Sequence, residues 1–179
     1  MKAARVCGAF VLAALAGAAV CAQDWLSNPF NDPFVQLTHG LPQCTAPIPP
    51  RYTPAEARAL DHERTQRGVS CWIAGRCRLA NGYMYDAELA QRVQKAVAAR
   101  GVFDDDTSVW MLGQRRFIWL KGCVSRPEQI TDIARLIRNI DDVEGVFLEL
   151  NVGTGGTPVY ATEAAPTAPR MPEPFAETR

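Results

Sequence analysis

The stretch from Tyr85 to Val152 constrains this chain more than any other, because the spacing of its apolar residues switches repeatedly between helical and extended periods. Asp86 is placed to cap a helix whose Leu89, Val93, Ala96 and Val97 recur on one face, and Gly101 supplies the stop. Two strands follow, Ser108 to Leu112 and Arg116 to Val124, joined by a turn at Gly113-Gln114-Arg115. So short a connection makes them antiparallel neighbours. Ser125-Arg-Pro-Glu128 has the residues of a capping box, and Ile130, Ile133, Ala134 and Ile137 form the stripe of the helix it opens. In a last strand, Val146, Leu148, Leu150 and Val152 alternate with Phe147, Glu149 and Asn151. The order predicts an α+β fold: a two-layer αββαβ module over residues 85–152, with two helices on one face of a three-stranded mixed sheet.

Residues 1–22 indicate the compartment. Lys2 and Arg5 precede an uncharged run from Val6 to Val20, the pattern of a secretory signal peptide cleaved after Ala22. That run is too short to span a bilayer, which takes about 20 apolar residues, and no later segment approaches that length without a charge. Cys21 would be the acylated residue of a lipoprotein, but bulky Val20 stands where such sites want a small side chain, so a periplasmic protein without a lipid is the stronger expectation. The leader carries basic residues only, and the whole chain has zero formal charge, so the mature protein is slightly acidic. It lacks the basic surface of a general nucleic-acid binder.

Export agrees with the cysteines. Cys44, Cys71, Cys77 and Cys123 remain after cleavage, an even number in an oxidising compartment, so two disulfides are expected. Three pairings are possible; Cys71 with Cys77, leaving Cys44 with Cys123, is preferred. Zinc is disfavoured, because Cys71 and Cys77 are separated by five residues and the histidines His39 and His62 form no paired spacing.

Residues 23–84 form a Pro-rich, Cys-containing extension with one helix over about 54–67, opened by Thr53-Pro-Ala-Glu56 and stopped by Gly68. After Gly153 the chain is Thr, Gly, Ala and Pro with few large apolar residues, which predicts a disordered tail over 153–179.

Two motifs stand out in this module, Ile118-x-Leu120-x-Gly122-x-Val124-Ser125 on the second strand and Asp142-Val143-Glu144-Gly145-Val146 on the approach to the last. With the element order, they resemble the second strand with its glycine, and the approach to the last strand, of the BON domain of bacterial envelope proteins. The module departs at Asp142, where the family commonly has glycine. The resemblance implies a non-catalytic protein without cofactors that binds anionic phospholipid or helps arrange envelope assemblies. Independently of the family, Gly122 shares a face with Ile118, Leu120 and Val124, so it is expected to lie under a helix.

Alternation then puts Phe117, Trp119, Lys121 and Cys123 on the opposite face, joined by Trp110, Leu112 and Phe147. So apolar a face wants a cover. The expected cover is the N-terminal extension, stapled through Cys123. The sharper reading is a ligand or partner face of Trp110, Arg115, Arg116, Phe117, Trp119 and Lys121, which combines cations with rings suited to anionic headgroups or an envelope protein partner. A structural subunit of a ring or other envelope assembly is the alternative function. Enzyme readings find less: Cys71 and Cys77 lack redox spacing, Asp104, Asp105 and Asp106 lack the alternation of a calcium loop, and His62 has no nucleophile beside it in the sequence.

Overall fold

A computed structural model of the chain describes residues 24–66, 69–101, 103 and 105–163. The signal peptide and the cleavage site lie outside them, as do Gly68, Asp104 and residues 164–179. The elements in order are β1 (Leu26–Ser27), β2 (Phe34–Gln36), β3 (Arg51–Tyr52), α1 (Pro54–Gln66), α2 (Val69–Ile73), a 3-10 turn (Gly82–Tyr85), α3 (Asp86–Arg100), β4 (Thr107–Gln114), β5 (Phe117–Val124), α4 (Pro127–Arg138) and β6 (Gly145–Val152). No helix among the described residues is long and apolar enough to cross a membrane.

The protein is α+β, but its main sheet has four strands, in the order β2-β4-β5-β6. Expected were three. The additional strand comes from the extension: Phe34, Val35 and Gln36 pair antiparallel with Leu112, Met111 and Trp110. Three residues behind Pro33 have too little pattern to announce a strand, and their partner lies far along the chain. β4 and β5 are antiparallel and β5 and β6 parallel, while β1 and β3 form a separate two-stranded ribbon.

The alternation of β5 holds. Ile118, Leu120 and Val124 are fully buried with Val109 and Met111 of β4, Val93 and Val97 of α3, and Ile133 and Ile137 of α4, all in one core. Val35 packs against its edge. Local signals place two helix ends, but Asp86 does not cap α3 as expected: Tyr85 is the N-cap and the Asp86 carboxylate accepts from the Arg115 and Arg116 amides instead. Thr53 and Glu56 exchange hydrogen bonds at the start of α1, with Thr53 N–H donating to Glu56 Oε2 at 2.7 Å and Glu56 N–H to Thr53 Oγ1 at 3.2 Å. Gly101 ends α3 at φ 63. The second capping box is one residue later than expected: Arg126 is the cap and donates its N–H to Gln129 Oε1 at 2.8 Å. Ser125 donates to the Asp106 carbonyl instead.

Two further expectations are corrected. Gly122 is required, but not by a helix: its φ is 132, and a Cβ there would lie 2.1 Å from the Ser108 carbonyl oxygen of the neighbouring strand. The tail is not free from Gly153 onward. Asn151 holds Thr157 and Val159 through its side chain, Ile48 N–H donates to the Ala161 carbonyl, and Tyr160 and Thr162 are buried. Fixed partners on β6 and the extension offset the ordering cost that composition alone makes unfavourable.

Candidate functional site

The outer face of the sheet divides into a sealed end and an open end. At the sealed end, Cys44 and Cys123 form a disulfide across 79 residues, and both are buried. The Tyr160 hydroxyl lies 3.5 and 3.8 Å from their sulfurs and donates to the Thr45 carbonyl at 2.7 Å. Leu41 N–H donates to Ser108 Oγ, whose hydroxyl donates back to the Leu41 carbonyl, so the extension is pinned to β4 beside the staple. Cys71 and Cys77 form the second disulfide, closing a small ring that leaves Trp72 and Ile73 exposed.

At the open end, Trp119 and Phe147 stack with centroids 4.9 Å apart and planes at 20°. Phe117 joins them at 5.7 Å from Phe147 and 6.2 Å from Trp119. All three are half-buried, as is Trp110 opposite Lys121. Self-coverage is therefore partial: the extension covers the Cys123 end, β2 brings Phe34 beside Leu112, and the aromatic trio stays partly open.

The cations beside the rings are mostly engaged. Lys121 pairs with Glu149 at 3.4 Å across the β5–β6 ladder. Arg116 donates Nε–H to the Asp142 carbonyl at 2.8 Å, pairs with Glu144 at 3.3 Å and lies over the Tyr85 ring. Arg115 reaches over Phe117, with its guanidinium carbon 5.9 Å from the ring centroid.

Arg115 and Arg116 also make the hairpin turn, not Gly113-Gln114-Arg115 as expected. Their φ values are 55 and 72, a two-residue turn built without the usual glycine or asparagine. The compensation is Asp86, whose two carboxylate oxygens accept the Arg115 and Arg116 N–H groups at 2.8 Å each. Burial pushes the Asp86 carboxyl up from 3.8 to about 6, against the opposing pull of those two donors; Asp32 adds repulsion and Arg64 attraction. A folded-state value above the unfolded one means that the folded protein keeps a proton through that interval. The resulting stabilisation is complete below pH 3.8 and is lost as pH rises through about 6. The stability of Asp86→Asn relative to wild type is expected to shift in the variant's favour by up to about 3 kcal/mol as pH rises through this window, read from urea midpoints.

Beside this turn is a cluster that sequence reasoning missed. Buried Asp32 accepts two bonds from Arg64 of α1 and one from Gln114 of β4 at 2.6 Å. The Arg64 guanidinium also lies 3.7 Å from the Tyr83 ring centroid and 4.2 Å from that of Phe30. Arg64 reads in sequence as one charge on a solvated helix face, and its partners sit in other elements, so no local spacing marks it. The cluster ties α1 to the hairpin tip. Among the described residues no group of three His, Cys, Asp or Glu side chains is arranged to hold a metal.

Comparison with family models, with curated proteins and with solved structures finds no match.

Proposed function

We propose that the chain is an exported, non-catalytic envelope protein of BON type, and that the open end of its outer sheet face docks another envelope protein in preference to anionic phospholipid. The observation that carries this reading is the fate of the cations. Lys121 and Arg116 are neutralised by Glu149 and Glu144, while Phe117, Trp119 and Phe147 remain half-buried. A surface for headgroups needs net positive charge at about 1 kcal/mol per cation; a protein interface is anchored by aromatic side chains. Two disulfides fit the oxidising compartment outside the cytoplasm. Asp142 adds support to the resemblance: it stands where glycine is common and has φ 72, the left-handed region that glycine favours. Its carboxylate is held there by Arg92 at 2.9 Å and Arg78 at 3.2 Å. The reading as a non-catalytic protein rests on buried carboxylates already committed to structure, Asp32 to Arg64 and Gln114, and Asp86 to two turn amides.

Flotation with phosphatidylglycerol vesicles at low and high salt, run beside photo-crosslinking in the envelope from position 147, tests the choice. The expected result is no flotation at either salt and one dominant protein adduct. Trp119→Ala should weaken that partner's binding by about 2 kcal/mol, roughly thirtyfold. Salt-sensitive flotation that Arg115→Ala abolishes would transfer the function to lipid.

A further inference from the structure

The sheet ends differently on its two sides. On one side β2 is a three-residue strand behind Pro33, a short edge of the kind that discourages further pairing. On the other side β6 runs for eight residues, Gly145–Val152, without proline, and among the described residues nothing pairs with its outer edge. Leu148 and Val152, which point to the helix side with Leu120 and Val124 as their β5 neighbours, are 39% and 54% exposed.

The ladder identifies the unpaired groups. Gly153 N–H donates to the Val124 carbonyl at 2.8 Å, one step beyond the Val124–Val152 partnership. In a parallel ladder every second residue of a strand bonds the same neighbour, so Phe147, Glu149 and Asn151 turn their amides and carbonyls to β5. Val146, Leu148, Leu150 and Val152 turn theirs outward. Only at the approach to the strand is the order out of step, where Glu144 N–H bonds the Arg116 carbonyl.

We propose that β6 is the pairing edge of a homodimer, in which two copies meet antiparallel about a two-fold axis through Leu148 and extend the sheet across both. Outward groups must meet outward groups, which permits pairings only between even-numbered residues. Two such registers use most of the strand. An axis through Glu149 sets Glu149 directly opposite its copy, and like charges so placed are destabilising. An axis through Leu148 sets Leu148 on Leu148, Val146 on Leu150, and Phe147 opposite Glu149. This second register buries the exposed Leu148, brings no like charges face to face, and keeps each Glu149 beside its own Lys121. Both helical layers then lie on the same side of the joined sheet. The contact is small, so pairing is weak and concentration-dependent.

Sedimentation of the purified chain from micromolar to millimolar concentration tests this. The mass is expected to rise from one copy towards two. L148K and L148E should each weaken self-association at least about tenfold, because each sets like charges across the axis, and an equimolar mixture should restore pairing. Hydrogen exchange of the wild type gives a readout independent of any substitution: the amides of Val146, Leu148 and Leu150 should become protected as concentration rises. A wild type that stays at one copy throughout, with those amides exchanging freely, overturns the proposal, and that result would leave the edge for a strand of a different protein. A mixture of L148K and L148E that fails to pair overturns the placement of the axis.

Discussion

Replacing both Cys44 and Cys123 by serine is expected to lower the unfolding free energy by about 4.5 kcal/mol, measured by urea denaturation against the oxidised wild type. The magnitude follows from the loop: 79 residues separate the pair, and tying so long a segment removes much of the unfolded chain's freedom. Cys71 and Cys77 are only six apart, so the same substitution there should cost about 2 kcal/mol. The long staple has a second effect, on packing. It holds the extension against Ser108 and Cys123, and Tyr160 closes over its sulfurs, so its loss should also release residues 153–163 and increase exchange at the Ile48 amide. Mild reductant should open the partly exposed Cys71–Cys77 ring before the buried Cys44–Cys123 bond. Equal losses for the two disulfides would show that loop length does not govern the stability of this fold.

Gly122→Ala is expected to cost about 4 kcal/mol, enough to leave a marginal domain largely unfolded, read as the loss of a cooperative urea transition. Two effects combine. The backbone at φ 132 is strained for any residue with a side chain, and the added methyl would sit 2.1 Å from the Ser108 carbonyl oxygen. Relief requires β4 and β5 to separate at Ser108 and Val109, next to the staple and at the floor of the core. Gly155 provides the control, because its Cβ would meet nothing within 4 Å; Gly155→Ala should leave the midpoint near that of wild type. A Gly122→Ala protein that unfolds at the wild-type midpoint would disprove the close approach of the two strands.

The sequence by itself was enough for whatever depends on neighbours a few residues away. The 3.6-residue stripes of α3 and α4 and the period-two alternation of β5 located the core residues, and the same alternation assigned Trp119 and Cys123 to the far side, where they are found. The Thr53–Glu56 cap and the Gly101 stop belong to the same class. Only tertiary structure decided the rest. The fourth strand exists because β4 had an unpaired edge for Phe34–Gln36 to satisfy. The turn falls on Arg115 and Arg116 because Asp86, far back in the chain, supplies both acceptors. Arg64 is a half-buried partner of buried Asp32, between two rings, and Lys121 and Arg116 are engaged by acids on and before β6. The physical reason is common to all of these: a polar group or a strand edge is satisfied by whatever the fold brings within hydrogen-bonding distance, and sequence spacing carries no record of that distance.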